Sequence, residues 1–98
     1  MATHPNAEFT TELYKAILTL ETVEECDAFF KDLCTIPELK ALSQRFAVAV
    51  MLNQNMVYNK IVEATGASTA TISRVKRSLD YENAGGYGLV FERLKKDE

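Results

Sequence analysis

Seven consecutive apolar residues, Phe46-Ala47-Val48-Ala49-Val50-Met51-Leu52, limit what this 98-residue chain can become. They follow Leu39 and Leu42 in a segment opened by Thr35-x-x-Glu38, a capping-box pattern with Pro37 in the first turn. The spacing predicts one long helix. Seven residues span about two helical turns, so its apolar surface runs around the whole circumference. Such a helix needs cover on every side. A chain of this length makes one domain with a modest core and often gains stability by oligomerising. A partner subunit is the simplest source of the missing cover. The alternative is a central helix enclosed within a monomeric bundle.

The segments around it read as helices too. Phe9, Leu13, Ile17 and Leu20 form a stripe at helical spacing. Thr22-x-x-Glu25 is a second capping box, predicted to open a helix with Val23, Cys26, Phe29, Phe30 and Leu33 inward. Asp80 to Gly88 is rich in turn formers, its glycines expected to make a flexible turn. A last helix is predicted over Leu89 to Lys96, with Val90, Phe91 and Leu94 apolar. No segment alternates with the two-residue period of a strand. The expected class is all-α, with about six helices. Residues 1–8 read as a flexible tail and residues 9–98 as the domain. No apolar run reaches the ~18 residues of a membrane span, and the start lacks a basic-then-apolar export signal. Cys26 and Cys34, eight apart in one predicted helix, read as reduced, packed thiols. A cytoplasmic protein is expected.

Function enters with residues 58–79, which read as a helix-turn-helix. Tyr58 to Thr65 is a short helix presenting Ile61, Val62 and either Thr65 or Ala64 inward. Gly66 supplies the left-handed backbone that ends it at little steric cost. Ser68 or Thr69 then caps a second helix running to about Leu79, with Ile72, Val75 and Leu79 on one face. Two helices joined by a short glycine-containing turn are the layout of a DNA-binding motif. Small and hydroxylated residues crowd the first turns of the second helix, where backbone can approach base edges. Basic residues stand toward its other end, where phosphates run.

Charge favours the same stretch. The chain carries −3 overall, which argues against nonspecific coating of nucleic acid. Residues 1–40 hold three lysines against eight acids, whereas residues 56–79 hold Lys60, Arg74, Lys76 and Arg77 against Glu63 alone. Binding through this block would weaken with salt.

Ala41-Leu42-x-x-Arg45, the apolar helix, and Tyr58-Asn59-x-Ile61-x-Glu63-Ala64-Thr65-Gly66-Ala67-Ser68-Thr69-Ala70-Thr71-Ile72-Ser73-Arg74-Val75 together resemble the Trp repressor superfamily. The closest likeness is to its Trp repressor-related (YerC/YecD-type) branch, over roughly Phe9 to Leu94. The resemblance implies an intertwined homodimer that inserts the second helix of each motif into the major groove of a near-palindromic site. It places Thr69, Ala70, Ser73 and Asn59 near base edges, and it implies repression rather than activation. With Lys60, Ser68, Arg74, Lys76 and Arg77 these make the candidate DNA-binding set. Arg45 and Arg74 match the two arginines that sandwich tryptophan in the repressor, and Ser78 completes a candidate effector pocket. The repressor has glycine after the second arginine. Val75 stands there instead, either intruding on the ring or pointing into the core, so tryptophan is not expected to bind. The two arginines would then pair with acids or phosphates, and any other effector is left open.

Residues for catalysis are missing. His4, the one histidine, stands in the predicted tail, and neither cysteine has a histidine neighbour in sequence. Cys26, Cys34 and His4 match no metal-ligand spacing, and Gly85-Gly86-x-Gly88 lacks the lysine of a phosphate loop. Tyr58, Tyr81 and Tyr87 offer rings for base stacking, although packing is the expected use. No enzyme activity, metal or cofactor is expected. The chain reads as a homodimeric, sequence-specific regulator bound to double-stranded DNA. The rival is a protein-interaction module that presents the same basic face to an acidic partner.

Overall fold

The computed structural model describes residues 7–81 and 84–97, and there the chain is all-α. Six helices follow one another: α1 (Ala7–Ile17), α2 (Val23–Leu33), α3 (Ile36–Asn53), α4 (Tyr58–Thr65), α5 (Thr69–Asp80) and α6 (Gly86–Lys96). The chain divides into two compact units, residues 1–39 and 40–98.

The first unit is rich in helix-starting signals and poor in burial. Thr22 caps α2 by accepting the Glu25 amide at 3.0 Å, and the Glu25 carboxylate accepts from the Glu21 amide at 2.9 Å. Thr35 and Glu38 form the reciprocal pair at the start of α3: the Glu38 amide donates to Thr35 Oγ1 at 3.2 Å, and the Thr35 amide donates to Glu38 Oε1 at 2.8 Å. The Thr35 amide, and after it the Thr35 side chain, favour the ionised acid, so the Glu38 carboxyl lies below its usual 4.5. Yet none of the described residues between 7 and 39 is buried. Val23, expected inward, is 79% exposed, and Leu33 is 50% exposed. The cysteines are free, but α2 ends at Leu33 and Cys34 is its C-cap, so the two do not share a helix. Cys26 is exposed rather than packed. Ala7 and Glu8, placed in the tail by sequence, open α1; the remainder of that stretch, with His4, lies outside the described residues.

The second unit has a closed core. Val48 and Ala49 of α3, Ile61 of α4, Ala67 of the turn, and Ile72 and Val75 of α5 are buried together. Met51, Leu52, Met56, Tyr58, Leu79, Tyr87 and Phe91 pack around them. The apolar girdle is therefore covered unevenly within one chain: Val48 and Ala49 are sealed, while Phe46 stays 38% exposed. On α4 only Ile61 is buried; Val62 and Ala64 are exposed and Thr65 is half-buried.

Helix α6 starts three residues before the predicted Leu89. Gly85 is its N-cap at φ 87°, and Gly86 and Gly88 lie inside its first turn rather than in a flexible loop. Tyr87 stacks on Phe91 at 5.9 Å between ring centroids, and Phe91 meets Phe46 of α3 at 6.0 Å. Aromatic packing on the core outweighs the roughly 1 kcal/mol that each helical glycine forfeits against alanine. Glu82 and Asn83, in the connection before α6, lie outside the described residues.

Candidate nucleic-acid interface

The turn between α4 and α5 is built from four consecutive residues. Thr65 Oγ1 donates to the Ile61 carbonyl at 2.7 Å and accepts from the Ala67 amide at 3.1 Å. Gly66 takes the left-handed conformation at φ 72° and returns its amide to the Val62 carbonyl at 2.8 Å. A side chain at φ > 0 is strained, so glycine is the favoured residue there. Ala67 drops its methyl into the core, 2% exposed. Ser68, rather than Thr69, is the N-cap: its hydroxyl accepts the Thr71 amide at 3.1 Å and donates to Thr71 Oγ1 at 3.1 Å. From α3, Gln44 Nε2 donates to the Thr65 carbonyl at 3.1 Å and braces the end of α4.

Helix α5 lies on this frame by one face. Ile72 and Val75 are buried at 0% and 2% exposure, with Leu79 half-buried beside them. At about 100° per residue, Ala70, Ser73, Arg74 and Arg77 fall on the opposite face. All four are exposed and, with half-buried Ser78, line one shallow groove. Asn59 and Lys60 on α4, and Ser68 and Thr69 at the start of α5, are exposed as well.

The basic groups on this motif are in different states. Arg74 and Arg77 make no ion pair with any described residue. Lys76 sits on the flank of α5 and pairs with Asp80 one turn on, at 2.9 Å. That hydrogen-bonded carboxylate raises the Lys76 ammonium above its usual 10.5. Lys60 approaches Glu63 at 3.8 Å, a looser pair with both side chains well exposed. Sequence reasoning grouped Lys76 with Arg77 and passed over Asp80, although an i,i+4 acid–base spacing signals such a pair. The Gln44 brace has no local signal, because its partner is 21 residues away.

Arg45 is exposed on α3. Ser78 borders the groove that holds Arg74 and also an apolar groove of about 460 Å³ with Phe46, Gly85, Tyr87 and Val90. Arg45 lines neither of these two. Of the two placements open for Val75, the core is the observed one.

Such a motif, seated on a buried core with one helix presented outward, defines the class of helix-turn-helix regulators. The family model for Trp repressor protein matches residues 9–95. YerC of Bacillus subtilis is 52% identical over 87 residues, covering 89% of this chain and 83% of its own length. The crystal structure of a TrpR-like protein from Eubacterium eligens superposes with a TM-score of 0.85 at 54% identity, covering 91% of each chain. A candidate Trp repressor from Staphylococcus aureus gives a TM-score of 0.83 at 46% identity, over 95% of this chain and 96% of its own. This chain belongs to the Trp repressor family, as a member related to YerC. That fold family is one of regulators and not of enzymes. Among the described residues no helix is long and apolar enough to cross a membrane, and no cluster of His, Cys, Asp and Glu is placed to hold a metal.

Proposed function

We propose that this chain is a sequence-specific DNA-binding repressor of transcription, working in the cytoplasm as a homodimer on a two-fold symmetric site. The observation that carries the reading is the outward face of α5. Ala70 and Ser73 stand beside two arginines without ionic partners among the described residues, on a helix whose other face is sealed into the core. Thr69, Ala70 and Ser73, with Asn59 from α4, approach base edges, where small and hydroxylated side chains permit close contact. Ser68, Lys60, Arg74 and Arg77 serve the phosphates, and Lys76, tied to Asp80 on the flank of α5, stands within reach of them.

The first unit supports a dimer. Phe9, Leu18, Val23 and Ile36 are each 70% exposed or more, and no core is formed within residues 7–39. Exposed apolar surface on this scale marks an interaction site. A second copy supplies matching apolar helices, and two copies of α5 then face successive major grooves.

Tryptophan is not the effector in this reading. The position that is glycine in the repressor carries Val75 here, a branched residue held in the core at 2% exposure, so the surface beside Arg74 departs from the repressor's pattern. Calorimetry with millimolar L-tryptophan is expected to show no saturable heat.

The reading is tested by selecting duplexes from random DNA, then titrating the protein onto selected and scrambled duplexes by fluorescence anisotropy at several salt concentrations. Tighter binding to the selected duplex, falling linearly in log–log salt, is the expected result. Equal and salt-insensitive affinity for both would hand the basic face to an acidic protein partner instead.

A further inference from the structure

We propose that Asp80 is an affinity-setting residue: a built-in competitor of DNA phosphate for Lys76. The inference rests on the DNA-binding reading and deepens it. Three observations carry it. Lys76 Nζ lies 2.9 Å from the Asp80 carboxylate, whereas Arg74 and Arg77 on the neighbouring face have no ionic partner among the described residues. Second, the pair faces its own cleft with Asn53, Asn55 and Tyr87, apart from the groove lined by Ala70, Ser73, Arg74 and Arg77. Lys76 is thus drawn to the flank of α5 and away from the arginine face.

The third observation is the position of Asp80 itself. It is the last residue of α5. A carboxylate at a helix C-terminus faces the negative end of the macrodipole and works against the helix. The only gain to helix stability from an acid there is its weak i,i+4 pair with Lys76. Its measurable effect is on the lysine. An exposed i,i+4 pair is weak, so phosphate can break it. A phosphate that reaches Lys76 must nevertheless come to rest beside Asp80, and that like-charge approach offsets the attraction of the lysine. The grip on the backbone then falls to Arg74 and Arg77. The acid lowers general affinity for phosphate while leaving the base-facing residues of α5 untouched.

The test compares four proteins by anisotropy on a selected duplex across a salt series: wild type, Asp80→Asn, the double variant Lys76→Ala/Asp80→Asn, and Arg77→Ala. Asn keeps the shape of Asp and removes its charge, and circular dichroism checks that each variant is folded. Asp80→Asn is expected to steepen the log–log salt slope by ~1 per subunit as Lys76 engages a phosphate. The double variant shows no such steepening, because the effect passes through Lys76 and not through net charge. Arg77→Ala makes the slope shallower by ~1 per subunit and calibrates the measurement. An unchanged slope in Asp80→Asn, or a steeper slope kept by the double variant, would overturn the proposal while Arg77→Ala still shifts. If Arg77→Ala is silent as well, the DNA-binding reading falls, and this inference with it.

Discussion

The two units of this chain solve the helix problem by opposite means. Residues 7–39 spend their sequence on local signals: two hydroxyl caps, two glutamates returning to backbone amides, and acids in the first turns of α1 and α2. Those signals start helices without burying them, and Val23 and Leu18 stand about four-fifths exposed. Residues 40–98 use fewer side-chain caps and hold α3, α4 and α5 together through six buried residues. α4 has no side-chain cap bond at its start and α6 none at its N-cap glycine. Short helices are marginal in water, and most of their stability in proteins comes from tertiary packing. The second unit therefore has the means to stand by itself. The first buries none of its described residues from 7 to 39, and its exposed apolar faces are the surface most in need of cover.

The largest effects are expected in the core. Val48→Asp places a charge where exposure is 0% and should cost several kcal/mol, removing the thermal transition altogether. Ile61→Ala and Ile72→Ala, each at 0% exposure, should cost about 2–5 kcal/mol by denaturant titration. The first unit should respond differently. Leu18→Asp, at a site 82% exposed, adds no buried charge within the chain, so helical signal should persist. Light scattering after size exclusion should show whether it converts a species of about twice 11.0 kDa into the monomer. A wild-type monomer at micromolar concentration would break the comparison, since the first unit would then tolerate its exposed surface unaided.

Smaller effects sharpen it. Gly66 has open space where a Cβ would stand, so Gly66→Ala meets strain without a clash. Its cost should be about 1–2 kcal/mol, in place of outright collapse of the motif. Thr35→Ala should cost about 1 kcal/mol through the start of α3. Glu38 adds a pH signature. Its folded pKa is depressed, so its stabilising effect is present above 4.5 and is lost as pH falls through the lowered value. Circular dichroism between neutral and acidic pH should show that component in the wild type and lose it in Glu38→Gln.

What could be read from sequence follows the same division. The caps at Thr22 and Thr35 and the stop at Gly66 were legible because each acts within four residues. The span of α4 and α5 was legible because a glycine and a hydroxyl cap punctuate it. The start of α6 was not, because Tyr87 and Phe91 recruit a glycine-rich segment into a helix by packing on residues distant in sequence. The inward faces assigned to α2 and to Val62 were misjudged for a related reason. A periodic stripe shows that a face is apolar without saying which chain covers it. At the candidate interface, Ile72 was placed on the core side and the core was one of two placements open for Val75; the structure seals both. The division of the basic residues into a lysine paired with Asp80 and arginines with no ion pair among the described residues depended on the rotamers around Asp80, which spacing hints at but does not determine.

The central claim is that α5 reads bases with one set of residues and grips phosphates with another. It is tested most directly by measuring affinity for a selected and a scrambled duplex, over a salt series, for Ser73→Ala and Thr69→Ala against Arg74→Ala and Arg77→Ala. The hydroxyl variants should lose discrimination between the duplexes while keeping the wild-type salt slope. The arginine variants should weaken binding to both duplexes alike and reduce the slope by ~1 per subunit for each phosphate no longer held. Arginine variants that change neither affinity nor slope would contradict the account and leave the exposed face of α5 to a partner other than DNA.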